Sequence, residues 1–321
     1  MAKRKKRTPA PILPSNRLDP TGVDRLERGA MREFAKRVKR IGEGYIGLLN
    51  RIPSEPAVNQ RYTFQLDPLL LSMLLQNGES LVDDVLLQGG EYNNWFWQDY
   101  VSTAYQRGTA QEFSNLSQQS PAYAADRNSL SDLLLSEPYQ RRMVLIRTRE
   151  FEEMKGLGNQ VKANLSRVLT DGIGRGLNPT EVARNIRDHV GIEQRRANRI
   201  ARTEITTALR RARWDEHDEA GDDLGLNVRL LHLSALSPTT RNSHALRHGH
   251  LYTSEEVREW YSVNGNAINC KCTQVTVLVD EDGNALNPGI IEKAQKEFQD
   301  TWGKRMASNS SHQCCGHRHA A

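Results

Sequence analysis

Two short stretches of this chain stand out from an otherwise helical or polar texture. Asn227-Val228-Arg229-Leu230-Leu231-His232-Leu233 and Thr273-Gln274-Val275-Thr276-Val277-Leu278-Val279 read as strands, the second with Val275, Val277 and Val279 on one face. From about residue 20 to residue 219 the apolar residues instead recur at helical spacing. The expected class is therefore α+β. A mainly helical N-terminal domain should precede a small α+β domain with a short β-sheet, and both termini should be flexible.

Boundary residues mark out the helices. Asp67-Pro68 supplies a cap and a first-turn proline, and Leu69, Leu70, Met73, Leu74, Leu81, Val85 and Leu86 then trace a buried stripe that Gly78 should interrupt. Tyr92, Trp95, Phe96, Tyr100 and Val101 mark a further amphipathic helix, and 138–155 and 158–173 supply two more. Gly172, Gly174 and Gly176 punctuate a boundary. Asn178-Pro179-Thr180-Glu181 opens the next helix, which Gly191 should end. A longer helix follows from about Glu193 to Glu219. It carries Ala197, Ala201, Ile205, Ala208, Leu209 and Ala212 on one side, with Arg195, Arg199, Arg202, Arg210 and Arg213 on an adjoining stripe. That stripe suits phosphate or carboxylate binding, but Asp215, Glu216, Asp218 and Glu219 follow at once and nearly cancel it. A short helix is expected around Glu255 to Trp260, and a last one from Asn287-Pro288 to about Met306. The expected divisions are an arm over 1–16, a helical domain over 17–176, a second domain over 177–280, and a helix and tail over 281–321.

Charge is unevenly spread along the 321 residues. The net charge is +5, yet residues 1–40 hold 13 Lys/Arg against 4 Asp/Glu. A basic arm thus precedes a mildly acidic body, and Lys3, Arg4, Lys5, Lys6 and Arg7 are its candidate contact to a polyanion such as nucleic acid. The same run lacks the apolar stretch that a signal peptide would need, because Thr8-Pro9-Ala10-Pro11 follows it. No apolar run approaches the roughly 18–20 residues that span a bilayer. Four cysteines do not make a disulfide scaffold, which fits a reducing cytoplasm.

Two constellations hold the residue types that carry chemistry. The first runs from Ser237 to Cys272 and contains Arg241, His244, His248, His250, Cys270 and Cys272. His244, His248, Cys270 and Cys272 make a zinc-type donor set, but the Cys-x-Cys spacing is tighter than that of zinc fingers. The spacing favours a hydrogen-bonded His244 and two small buried cysteines at a strand start. A Cys/His nucleophile pair can be drawn from the same residues, although spacing alone does not force its geometry. The second, His312-Gln313-Cys314-Cys315-Gly316-His317-Arg318-His319, reads as an unanchored tail with adventitious metal affinity.

At this point residues 172–280 resemble the phage head morphogenesis (Mu F-like) family of minor head proteins. The resemblance rests on Asn178-Pro179-Thr180-Glu181-Val182-Ala183, on Arg196-Ala197 and Ile200-Ala201-Arg202-Thr203-Glu204, on Ser234-Ala235-Leu236, on Thr240-Arg241 with His244 and Gly249, and on Asn269-Cys270-Lys271-Cys272. Ala267-Ile268 stand where the family often has His-Pro, which removes one potential ligand. The resemblance implies a head protein that is not an enzyme. Its implied partners are the portal protein, the scaffold or major capsid protein, and packaged DNA, with no membrane and no small-molecule substrate. It implies location in the virion, after assembly in the host cytoplasm, and no cofactor. Arg202, Glu204, Arg241, His244, Cys270 and Cys272 are expected to form the domain's buried polar framework. Arg202 should pair with a carboxylate, and His244 should tie the long connection to the strand near Cys270. The rival is a metal-dependent enzyme acting on nucleic acid, with His244, His248, Cys270 and Cys272 as ligands and zinc as the metal.

Overall fold

The computed structural model describes residues 9–305. Lys3 to Arg7 and the His/Cys-rich tail lie outside the described residues. In chain order the elements are α1 (Asp24–Leu49), β1 (Ser54–Pro56), β2 (Tyr62–Phe64), α2 (Pro68–Leu86), α3 (Gly90–Asn93), α4 (Ser102–Gln119), α5 (Pro121–Asp126), α6 (Leu130–Leu135) and α7 (Glu137–Gly174). Then come α8 (Pro179–Leu224), β3 (Val228–Leu233), α9 (Asn242–Ala245), β4 (Leu251–Tyr252), α10 (Ser254–Ser262), β5 (Thr273–Leu278) and α11 (Pro288–Phe298). The architecture is α+β. No helix among the described residues is long and apolar enough to cross a membrane.

The chain divides into two compact units, each drawn from separated segments. Among the described residues, one comprises 9–24, 104–140 and 206–305; the other comprises 25–103 and 141–205. The expected boundary at Gly176 falls inside the second of these. There Gly176 adopts φ +62°, and its carbonyl accepts from Tyr62 N–H at 2.9 Å. A Cβ at Gly176 would lie 2.8 Å from the Tyr62 carbonyl oxygen, so the turn between α7 and α8 requires glycine.

The unit of 25–103 and 141–205 is helical, apart from the hairpin of β1 and β2. On α1, Phe34, Val38, Ile41, Tyr45 and Leu48 are spaced alternately by four and three and are all buried. Met154, Leu157, Val161, Leu165 and Leu169 of α7 and Val182 and Ile186 of α8 are buried in the same unit. Three sequence expectations fail here. Gly78 does not interrupt α2, because the Tyr45 ring packs where its side chain would stand. Leu69 and Met73 lie off the buried stripe and are exposed. Gly191 likewise ends nothing. It sits inside the continuous α8, where a glycine costs only about 1 kcal/mol and burial on both sides of it outweighs that.

The other unit is built on an antiparallel three-stranded sheet in the order β4-β3-β5. Register runs from Val228 opposite Leu278 to Leu233 opposite Thr273. Alternation sorts the side chains as the sequence pattern predicts. Leu231, Leu233, Val275, Val277 and Val279 cluster with Ala294 of α11. Leu230 faces the other way, into a cluster with Trp214 of α8, Val257 and Tyr261 of α10, and Cys270 and Cys272. The long polar connection between the strands contains α10, begun by a Thr253/Glu256 capping box, and the short β4 that the sequence reading lacks.

Helix α4 supplies three polar side chains to the backbone of β5. Glu112 Oε1 accepts from Thr276 N–H at 3.1 Å, and Asn115 Nδ2 and Gln119 Nε2 each donate to the Thr276 carbonyl at 2.9 Å. Gln119 Oε1 accepts from Leu278 N–H at 3.2 Å. Arg213 of α8 pairs with Glu112 at 2.7 Å inside this buried row. The second half of the expected flexible arm is also engaged. Ile12 N–H donates to Asn115 Oδ1 at 2.9 Å, Gln118 donates to the Ala10 carbonyl at 2.5 Å, and Leu13 packs on the α11 side of the sheet.

Candidate functional site

The connection leaving β3 places the residues that the sequence singles out. Ser237 N–H donates to Thr240 Oγ1 at 2.9 Å, and the Thr240 N–H returns to the Ser237 carbonyl at 3.0 Å, closing a tight turn. Arg241 then caps the single turn of α9, and its side chain reaches across the connection. It donates to the carbonyls of Gly265 and Asn266 at 2.9 Å each and of Ile268 at 3.1 Å. These three bonds hold the loop that feeds Asn269, whose φ of +52° is a left-handed conformation that asparagine tolerates. The chain turns there, and Cys270, Lys271 and Cys272 enter β5.

One turn after Arg241, His244 meets both sulfurs. Its Nδ1 lies 3.3 Å from Cys270 Sγ and 3.6 Å from Cys272 Sγ. His244 is 2% exposed and each cysteine 3%. Cys272 N–H points at Cys270 Sγ at 3.4 Å, Cys272 Sγ is 3.5 Å from Ser234 Oγ, and Tyr261 Oη is 3.6 Å from Cys270 Sγ. The Trp260 ring stands edge-on to His244 with ring centres 4.6 Å apart. Beneath the sulfurs lies Arg210, fully buried. It donates to the Cys270 carbonyl at 3.0 Å and to Thr207 Oγ1 at 3.1 Å, and stacks over Tyr261 at 4.4 Å.

Electrostatics separate the two thiols. Burial opposes ionisation of Cys270, but hydrogen bonds from Cys272 and His244 and the charge of Arg210 outweigh it and bring its thiol well below the usual range. The Cys272 thiol is pushed well up, first by its hydrogen bond to Cys270 and then by burial. A thiolate beside an imidazole is the pair that nucleophilic catalysis uses, and the same atoms are soft metal donors. Among the described residues, the His, Cys and acidic donor atoms that converge to within 4.8 Å as a possible metal group are those of His244, Cys270 and Cys272.

The other candidates lie elsewhere. His248 is not part of the cluster: its Nδ1 accepts from Ser234 N–H at 3.0 Å, and burial lowers its pKa to about 4. It therefore leaves the set of four ligands that the sequence suggests. Lys271 ion-pairs with Asp24. Arg202 and Glu204 belong to the other compact unit, where Arg202 Nε reaches Glu27 at 3.3 Å and Glu204 pairs with Arg149. The expected framework thus falls into two separate groups. Two of the five arginines on the α8 stripe, Arg210 and Arg213, are buried and used internally rather than displayed. Sequence reasoning missed Arg210, Tyr261 and Ser234 as neighbours of the cysteines. The adjacent Trp260-Tyr261 in a polar connection was the available sign.

Residues 163–275 match the family described as Phage Mu protein F like protein. The chain is also 25% identical over 169 residues to the NAD(+)--arginine ADP-ribosyltransferase EFV of Enterococcus faecalis (strain ATCC 700802 / V583), covering 48% of this chain and 34% of that protein. The chain thus matches about a third of that relative's length. No solved structure matches the chain significantly.

Proposed function

We propose, from the match of residues 163–275 to the Mu F-like phage head protein family, that this chain is a non-enzymatic minor head protein. In this reading it associates with the portal protein and the scaffold or major capsid protein during head assembly. It contacts packaged DNA through Lys3 to Arg7 and resides in the virion.

One observation carries the non-enzymatic part. The residues that bear the family resemblance between Arg241 and Cys272 converge on a cluster whose His and Cys side chains are at most 3% exposed. A nucleophile or ligand sealed in this way contributes to architecture, where buried polar contacts such as those of His244 with the two sulfurs fix one conformation of a loop-rich segment. Arg241 is the clearest case, since one guanidinium holds three carbonyls of the loop ahead of Cys270.

The experiment is assembly in phage whose only copy of the gene carries Arg241→Ala. Heads should contain several-fold less of this protein, and procapsids from the parent should yield it together with portal protein. Normal incorporation of the variant, or procapsids lacking the protein, sinks the reading. The ADP-ribosyltransferase similarity is tested directly by incubation with NAD+ and an arginine substrate. No ADP-ribosyl-arginine is expected, and its formation would overturn the non-enzymatic assignment.

A further inference from the structure

We propose that His244 Nδ1, Cys270 Sγ and Cys272 Sγ bind one zinc ion, which clips the connection after β3 to the start of β5. Spacing in the sequence argues against a metal here, because Cys-x-Cys is shorter than the usual zinc-finger spacing. Three donors nonetheless converge.

The distances fit the ion. With Zn–S of about 2.3 Å, Zn–N of about 2.0–2.1 Å and a tetrahedral angle, sulfur and nitrogen ligands lie about 3.6 Å apart. The two contacts from His244 Nδ1 measure 3.3 and 3.6 Å. Both are therefore close to the edge of a zinc tetrahedron. Two hydroxyl groups border the sulfurs at similar range, Ser234 Oγ at 3.5 Å and Tyr261 Oη at 3.6 Å. The fourth position is assigned to an oxygen, from one of these hydroxyls or from water.

The surroundings fit a structural rather than a catalytic ion. The three donors are closed off from solvent, so the metal would enter as the chain folds, and its binding energy would add to folding energy. Zinc needs both sulfurs as thiolates. Arg210, beneath Cys270, favours the first, and the divalent ion supplies the charge that the second requires. Donor type also selects the ion, since thiolate with imidazole suits zinc, whereas magnesium and calcium take oxygen ligands. This proposal is independent of the head-protein reading, and either can fail without the other.

The test uses the full chain carrying Cys314→Ser and Cys315→Ser, which removes the tail thiols from competition. Protein produced with zinc present and then dialysed against metal-free buffer should retain about one zinc per chain, by elemental analysis. X-ray absorption at the zinc edge should show two sulfur neighbours at about 2.3 Å. Absence of retained zinc, or a shell of nitrogen and oxygen alone, overturns the proposal. Adding Cys270→Ser or Cys272→Ser to that chain should abolish stoichiometric retention, and retention at the parent level overturns it. The absorption measurement on the parent does not depend on whether these variants fold.

Discussion

Glu150 shows how one residue can work against its fold. It is 1% exposed, neither of its carboxylate oxygens has a hydrogen-bond partner, and burial, with Glu204 adding to it, raises its pKa to about 8. In the unfolded chain the same group ionises near 4.3. At neutral pH folding must therefore take up a proton, a cost that grows as pH rises from the unfolded value towards about 8 and vanishes at lower pH. Glu150→Gln should stabilise the protein at pH 7 by about 2–3 kcal/mol and do little at pH 4. Urea denaturation at the two pH values checks this, and an equal effect at both refutes it. The candidate site was legible at the residue scale only in its parts. Arg241, His244, Cys270 and Cys272 stand out by type, but their meeting depends on the turn at Ser237–Thr240 and on the left-handed Asn269. His248 stands apart from the cluster for a related reason. Four-residue spacing from His244 implies a shared helix face, whereas α9 ends at Ala245.

Among the elements, β3 and β5 were readable, whereas the short β1, β2 and β4 and the full extent of α8 were not. Alternation in Thr273–Leu278 survives because each face of the sheet has its own cluster. Continuity of α8 was hidden because Gly191 is a breaker only where packing is indifferent. Two glycines make the contrast measurable. A Cβ at Gly191 would meet nothing within 4 Å, so Gly191→Ala should stabilise α8 by about 0.5–1 kcal/mol. A Cβ at Gly108 on α4 would lie 2.3 Å from the Leu209 carbonyl oxygen and 2.8 Å from Ala212 Cβ on α8. Gly108→Ala should therefore destabilise by about 1–3 kcal/mol through overpacking. Thermal melts of the two single variants should move in opposite directions, and a shared direction would show that the two helical environments are misjudged. The polar row on α4 was unreadable for another reason. Glu112, Asn115 and Gln119 look in sequence like a solvent-facing helix flank, and only the arrival of β5 gives them partners.

For the whole molecule, the linear domains expected from the sequence differ from the compact units because long helices serve two cores. The family match over 163–275 draws 163–205 from one unit and 206–275 from the other, with α8 running through both. Local pattern finds the helix but not the change of core along it. Charge acts at this scale too. Replacing Lys3, Arg4, Lys5, Lys6 and Arg7 by serine should weaken binding to duplex DNA and reduce the slope of log affinity against log salt by about 4–5. Titration at several salt concentrations measures that slope, and an unchanged value would remove the arm as the DNA contact. The row from α4 has a consequence for association as well. Strands with open hydrogen-bonding edges recruit strands from other molecules and seed fibres. Glu112, Asn115 and Gln119 occupy the outer groups of β5 at Thr276 and Leu278, so a foreign strand would have to displace buried side chains to add there. The molecule can be crowded against many copies of other chains with that side of its sheet closed to cross-β growth.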